Sequence, residues 1–332
     1  MEDRKKDHID LALKNRTGGI EKDPRFVYEP LLSGHIQPEI PGVILAGKEM
    51  KLPLWISSMT GGSGIARHIN NNLAAAANEF GLGMGLGSCR ILLESEKHLP
   101  DFDMRNVIGD EQPFWANLGV AQLEQMIEEN RLSEVRDLIN LLRCDGLVIH
   151  VNPLQEWFQP EGDRLKNSPL TIIKEVLHQL DVPVIVKEVG QGMGRESIHE
   201  LLNLPLAALE FAAFGGTNFA RVEMMRRPTT DHELFEPMVY VGQTAQDMMD
   251  DIIAISGNGV QHQTPLLIIS GGIKNYLDGY YFLKTSPMPA AYGMASGFLK
   301  HARESYDTLR DWTRSHISGL KMAHAYLRVK KY

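Results

Sequence analysis

Eight short apolar runs recur along the chain, at residues 54–59, 83–88, 114–119, 146–152, 183–190, 208–216, 266–272 and 290–295. Most are nearly continuous rather than alternating, a pattern that suits parallel strands buried on both faces. The stretches between them read as helices. Residues 65–80 carry an alanine-rich run, and 122–142 place Leu123, Met126, Ile127, Val135, Leu138, Ile139 and Leu142 at helical spacing. Residues 170–180 follow Ser168-Pro169, a cap and first-turn pair. Residues 197–204, 245–255 and 277–283 complete the set. Strand followed by helix, repeated, implies parallel βα units. Eight such units close most naturally as an α/β TIM (β/α)8 barrel, with an open doubly wound sheet as the competing arrangement.

Two regions sit outside the repeat. Residues 1–50 carry many charges with Pro and Gly and read as an N-terminal arm or cap on a barrel of residues 51–332, one domain overall. Residues 217–242 read as a long irregular connector holding Arg221, Arg226, Arg227 and Pro228. Loops of that length are uncommon unless functional or disordered.

Glycines and polar residues cluster just after the apolar runs, which in a barrel is the C-terminal face where sites are built. Glycine pairs begin at Gly61, Gly215 and Gly271. Each alone is a tight turn, but three at strand ends point to a phosphate-bearing ligand reached by backbone N–H groups. His150, Asn152, Gln155 and Glu156 form the densest polar group. His150 and Asn152 share one strand parity. The carboxylate suits acid–base work or a hard cation, and a polar loop over a structural histidine is the plain alternative. Lys187 ends a long apolar strand as a cation for an anionic ligand or as an exposed strand end, with Glu188 facing the other way. Arg4-Lys5-Lys6-Asp7-His8 is a basic cluster that matters only if the arm folds over the site.

Composition narrows the reading. Of 332 residues 43% are hydrophobic and 23% charged, and the net charge is −8. That argues against a nucleic-acid or membrane-surface partner and requires a local basic cluster for any anionic substrate. Two cysteines, Cys89 and Cys144, an N-terminus without an apolar run and no stretch near ~18 apolar residues point to a cytoplasmic protein. Cys89 beside Arg90 reads as an inert thiol. There is no P-loop, metal-type His/Cys spacing or GxSxG elbow.

The ordered series Arg4-Lys5-x-Asp7-His8, Met59-Thr60-Gly61-Gly62, Gly87-Ser88-x-Arg90, Asn117-Leu118-Gly119, His150-x-Asn152-Pro153-Leu154-Gln155-Glu156, Lys187-Glu188-x-Gly190-x-Gly192, Gly215-Gly216-Thr217 and Ser270-Gly271-Gly272-Ile273 resembles type 2 isopentenyl-diphosphate isomerase. The resemblance implies an FMN barrel that interconverts isopentenyl and dimethylallyl diphosphate in isoprenoid biosynthesis. It also implies Mg2+, NADPH as reductant and no net oxidation. By position, it implies Arg4, Lys5, His8, Arg90 and Gln155 on the substrate, with Gln155, His150 and Asn152 as catalytic residues and Glu156 on Mg2+. Met59, Thr60, Gly61, Ser88, Asn117, Lys187, Thr217, Gly271 and Gly272 would contact the flavin. The partners it implies are a small diphosphate and further copies of the chain, in a tetramer or larger.

Departures from the family pattern are Cys89 for Gln, Gly194 for Ser, Phe219 for Trp, Ile273-Lys274-Asn275-Tyr276 where Arg then Gly is favoured, and a last strand without a Gly-Ala opening. Two other readings stay open. One is an FMN-dependent oxidoreductase of the 2-hydroxy-acid oxidase type, whose histidine near the seventh strand has no counterpart in residues 269–274. The other is a non-catalytic phosphate-ligand-binding barrel.

Overall fold

The computed structural model describes every residue except 1, 13, 16, 36–38, 59–60, 63, 258–261 and 331–332, and the side chains of 2, 3, 6 and 229–231 are also outside the description. Eight strands, β1 Leu54–Ile56, β2 Gly83–Gly85, β3 Phe114–Gly119, β4 Gly146–Val151, β5 Val184–Glu188, β6 Ala208–Glu210, β7 Leu267–Ile269 and β8 Ala290–Met294, form a closed parallel barrel in chain order. All eight apolar runs of the sequence contain one of them.

Strand parity sorts the barrel into two cores. Trp55, Trp115, Val148, Ile185, Ala208, Ile268 and Ala291 point inward and form one buried cluster. Their neighbours Leu54, Ile56, Ala116, Leu147, Ile149, Val184, Val186, Leu209 and Leu267 face the surrounding helices in the larger cluster. Side chains alternate along a strand. Two residues further on, therefore, the inward positions are Ser57, Asn117, His150, Lys187, Glu210, Ser270 and Gly293. The barrel interior is thus an apolar lower layer under a polar upper layer, and the upper layer opens at the C-terminal mouth.

The lower end is closed by a hairpin, Val43–Leu45 with Lys48–Met50, which buries Leu45 and Met50 against the two tryptophans. Lys48 and the buried Arg105 share Asp145 at 2.7 and 3.0 Å, fixing that hairpin to the barrel. Phe26–Tyr28 pairs antiparallel with Leu327–Val329. Phe26–Tyr28 and the hairpin Val43–Met50 are therefore packed onto the barrel, whereas the helix Glu2–Ala12 is exposed along its described length.

The helices differ from the periodicity reading in three places. Residues 122–142 fall in two helices, Val120–Glu128 and Ser133–Leu142, because Asn130 adopts φ +57° between them and breaks the helical path. Residues 217–242 are not an irregular connector. They hold the helices Phe219–Arg226, capped by Asn218 accepting from Arg221 N–H, and Thr229–Val239, separated by Arg227-Pro228. Ala220, Met224 and Val239 bury against Phe158, so the pair forms a lid-like layer beside the mouth. After β8, Ser296–Ala302 and the 21-residue helix Tyr306–Tyr326 wrap the barrel flank, burying Leu309, Leu320 and Ala323. Among the described residues no helix is long and apolar enough to cross a membrane.

This flank carries a pH-dependent contribution to stability. His316, 6% exposed, accepts or donates at Nε2 to Tyr292 Oη at 2.9 Å, and burial pushes its pKa from 6.5 down to about 4. Between those values the unfolded chain binds a proton that the folded chain refuses. Stability linked to this group is therefore full above pH 6.5 and lost as pH falls toward 4, by about 3 kcal/mol in total. His316→Gln is expected to flatten the fall in melting temperature between pH 7 and pH 4.5. An unchanged pH slope in calorimetry would remove His316 as its source.

Candidate active site

The polar upper layer is set by register. His150 pairs with Gly119 and Lys187, and Lys187 with Glu210, so the inward polar side chains of β4, β5 and β6 are adjacent. Asn117 Nδ2 donates to Leu86 O at 3.0 Å, which leaves its Oδ1 to accept from His150 Nδ1 at 2.7 Å. Nδ1 then carries the proton and Nε2 is the bare acceptor. Burial, and then the nearby Lys187 charge, push the His150 pKa down to about 3, so the imidazole is neutral at physiological pH. It is suited to accept a hydrogen bond, not to provide a cation.

The fourth-strand group converges as the sequence spacing implies. Asn152 stands at the N-terminal boundary of the helix Pro153–Phe158 without a side-chain cap bond, and its Nδ2 donates to Gln155 Oε1 at 3.2 Å and to Glu156 Oε1 at 2.9 Å. Glu156 Oε2 accepts from Asp163 N–H at 2.9 Å, and Asp163 in turn pairs with Arg90 Nη1 at 3.0 Å. Gln155 Nε2 donates to Glu223 Oε1 at 3.2 Å, and Glu223 is held by Arg226 at 2.6 Å. One chain of bonds thus joins Glu223, Gln155, Asn152, Glu156, Asp163 and Arg90. Among the described residues there is no cluster of three His, Cys, Asp or Glu side chains shaped for a metal, so Glu156 stands as a single carboxylate.

Beside this group lies a cavity of about 410 Å³, lined by Ser57, Ser58, Lys187, Glu210, Thr217 and the glycines of the loops after β6 and β7. The two glycine pairs meet face to face. A Cβ on Gly216 would lie 3.3 Å from Gly272 N, and one on Gly215 3.3 Å from Gly272 Cα. Gly271 is at φ +85°, and a Cβ there would lie 2.2 Å from both N and O of Ala213. Only glycine permits this approach, and it leaves backbone amides available to an anion. Next to the cradle Glu210, fully buried, accepts at Oε1 from Ser57 Oγ at 2.6 Å and Ser270 Oγ at 3.0 Å, while its Oε2 has no partner. Ser58 Oγ and Asn152 Oδ1 are likewise buried and unpaired. Each such group costs ~1–3 kcal/mol unless a ligand satisfies it.

The residues singled out from the sequence fall into five sets. Lys187, Thr217, Gly271 and Gly272 line the cavity. His150, Asn117, Asn152, Gln155, Glu156 and Arg90 form the bonded groups beside it. Gly61 and Ser88 sit together at the β1 and β2 ends, a Cβ on Gly61 lying 3.1 Å from Ser88 O. Met59 and Thr60 lie outside the described residues. Arg4, Lys5 and His8 are exposed on the arm helix, make no hydrogen bond or ion pair among the described residues, and do not join the mouth in the single chain. Lys187 lines the mouth but also donates to Glu188 O at 2.8 Å. Cys89 is buried and its pKa is pushed up to about 12 by desolvation, as an inert thiol requires. Glu210, Ser57 and Glu223 were not singled out beforehand. Glu210 had a signal: it is the lone acid in the apolar run 207–213 and shares parity with the inward Ala208.

A closed βα barrel with a polar upper layer, a glycine cradle and a carboxamide–carboxylate group at its C-terminal mouth defines a (β/α)8-barrel enzyme. No family model matches the chain. It is 33% identical over 326 residues to isopentenyl-diphosphate delta-isomerase of Rickettsia felis, covering 96% of this chain and 91% of that protein. To the same-named protein of Rickettsia prowazekii it is 34% identical over 305 residues, covering 90% and 86%. Solved structures of similar fold include a flavocytochrome b2 mutant with pyruvate bound, at TM-score 0.63 and 10% identity over 91% of this chain and 72% of that one. A mandelate oxidase mutant with a monooxide FMN adduct has TM-score 0.58 and 13% identity over 92% and 88%. The chain belongs to the isopentenyl-diphosphate delta-isomerase family, the one its motif series resembles, and is an isomerase.

Proposed function

We propose that the protein interconverts isopentenyl and dimethylallyl diphosphate at the barrel mouth, with FMN in the cavity and Mg2+ on the diphosphate. The observation that carries the reading is the bonded chain from Glu223 to Arg90 set against a cavity with a glycine cradle. The chemistry is a shift of a double bond: one carbon gains a proton and the carbon two positions away loses one, without net oxidation. It needs neutral proton-handling groups beside an apolar chain and a cationic grip on the diphosphate.

The cavity fits a flavin mononucleotide on three counts. Gly271 and its partners cradle a phosphate, Lys187 lines the wall, and Glu210 Oε2 and Ser58 Oγ are unpaired polar atoms suited to a heteroaromatic edge. Reduced FMN, when bound, supplies proton exchange next to the alkene. Gln155, with its amide fixed at both ends by Asn152 and Glu223, orients the substrate's alkene. Neutral His150 offers Nε2 as an acceptor, and Asn152 holds Gln155 and Glu156 in register. Arg90, exposed and bonded only to Asp163 among the described residues, turns to the diphosphate. Glu156 would supply one carboxylate to Mg2+, a hard cation that is usually held by one or two carboxylates.

Arg4, Lys5 and His8 complete the diphosphate grip when the arm closes, from its own chain or from another copy in a tetramer or larger. Two free thiols fit a reducing cytoplasm. The β7 end offers no histidine to support hydroxy-acid oxidation.

The decisive assay incubates the purified chain with isopentenyl diphosphate, Mg2+ and FMN, with and without NADPH. Dimethylallyl diphosphate forms only in the reduced sample. Absence of product while the absorbance spectrum shows reduced flavin bound would overturn the reading.

A further inference from the structure

A second cavity lies outside the barrel wall. Side-chain parity in β5 separates it from the first: Lys187 faces the barrel interior and lines one, and Glu188 faces outward and lines the other. The outer cavity measures about 590 Å³ and shares no lining residue with the inner one. Its walls come from the end of β4, the start of the helix Pro153–Phe158, and the helices Pro169–Gln179 and Arg195–Leu202. Val151, Leu154, Ile173 and Leu201 make much of the wall apolar. Met238 and Val241 also line it, yet both are about half exposed, so this apolar surface is left open to solvent.

The charge of the cavity has one sign. Its ionisable residues are Glu188, Glu196 and Glu200, with no Lys, Arg or His among the described lining residues. Glu200 is offset by Lys174 at 3.1 Å, with both side chains half exposed. The Glu196 carboxylate has no hydrogen bond or ion pair among the described residues. Glu188 is 7% exposed, and its Oε2 accepts from the backbone N–H groups of Gly190, Gln191 and Gly192 at 2.6, 2.5 and 3.1 Å. These three bonds leave Oε1 for a further donor. Burial pushes the Glu188 pKa up even against those amides and the Lys187 charge, so the carboxylate is undercompensated where it stands. Gln191, 9% exposed, lines the same cavity. Its Nε2 donates to Val241 O, and its Oε1 is buried without a partner.

Buried acceptors under an open apolar wall call for a ligand with N–H donors, a positive charge and a hydrocarbon body. An anion would meet three carboxylates and no cation, so the diphosphate proposed for the barrel mouth has no place here. We propose that the outer cavity binds an amphipathic monocation, an aliphatic primary ammonium whose chain lies on the apolar wall and whose N–H groups reach Glu188 and Gln191. The site stands apart from the flavin reading and does not depend on it.

The test titrates octylammonium, octanol and octanoate, alike in chain length and different in charge, into the full-length protein by isothermal calorimetry. Low and high salt are compared for the native chain, Glu188→Gln and Glu196→Lys. Octylammonium is expected to bind tightest, octanol more weakly and octanoate not at all. High salt should weaken octylammonium more than octanol. Glu188→Gln should lose roughly 10-fold in octylammonium affinity, as expected for a hydrogen bond between charged groups, with octanol little changed. Glu196→Lys, at a more exposed acid, should lose roughly 3-fold or more.

Three ligands that bind alike, or octanoate binding best, would overturn the proposal. Octylammonium affinity unmoved by both substitutions would do the same, by placing the ligand elsewhere on an acidic chain. Absence of binding by all three, as when another copy of the chain already fills the cavity, overturns it too. If Glu188→Gln fails to fold, the ligand series and Glu196→Lys decide the matter.

Discussion

Gly271→Ala is expected to destabilise the protein by several kcal/mol and to abolish FMN retention. At φ +85° an L side chain is already strained. The added Cβ would also lie 2.2 Å from the nitrogen and the oxygen of Ala213. Those atoms are backbone of the loop after β6, where Ala212 itself is held at φ +42°, so no side chain can swing away. The β6 loop must move, and Gly215 and Gly216 move with it, because their backbone sits against Gly272. Steric strain in a special conformation with backbone displacement falls in the ~2–5 kcal/mol range of the most damaging substitutions. Gly194→Ala is the control: nothing lies within 4 Å of a Cβ there, and its φ of −76° is ordinary, so the change should stay within about 0.5 kcal/mol. Thermal unfolding and flavin titration of the two variants decide the matter. A Gly271→Ala protein that melts with the native chain and still binds FMN would show that the cradle is not built as described.

Much of the barrel was legible in the sequence because parallel strands buried on both faces leave unbroken apolar runs, and each of the eight runs holds a strand. The same physics hid the site's inner wall. In β6 the inward positions are Ala208 and Glu210, and a three-residue strand offers too few alternations to show that the acid points into the barrel. Lys187 was easier to assign, because five consecutive apolar residues precede it. The helices at 219–239 escaped notice because their buried faces are narrow, with Ala220, Glu223 and Met224 inward and Val222 and Met225 exposed. The stripe is therefore not apolar. The helix Tyr306–Tyr326 was missed for a related reason: its buried face includes Thr313, His316 and Gly319. The neutrality of His150 could not be read from spacing, since it depends first on the burial of the imidazole and then on Lys187 across the register. The arm cluster is the reverse case, a motif plain in the sequence whose Arg4, Lys5, Asp7 and His8 side chains the single chain leaves exposed.

The Glu156→Gln variant is expected to lower turnover of isopentenyl diphosphate by roughly 10²- to 10⁴-fold, the range for loss of a group placed at the reacting centre. The substitution preserves size but not bonding. Glu156 accepts at both oxygens, from Asn152 Nδ2 and from Asp163 N–H. An amide can accept at only one of those positions and sets its NH2 against a donor at the other. Either orientation loosens Asn152, and with it Gln155, or Asp163, and with it Arg90. On the proposed reading, the charge that Glu156 would offer Mg2+ is lost as well. The two consequences separate in the kinetics: a lost metal ligand raises the Mg2+ concentration needed for half-maximal rate, whereas loosened positioning lowers kcat at saturating Mg2+. Gln155→Ala removes the oriented amide and leaves the carboxylate in place, so it should lower kcat with little change in the Mg2+ requirement. A Gln155→Ala, Glu156→Gln double variant that turns over at the native rate would remove the fourth-strand group from the reaction altogether.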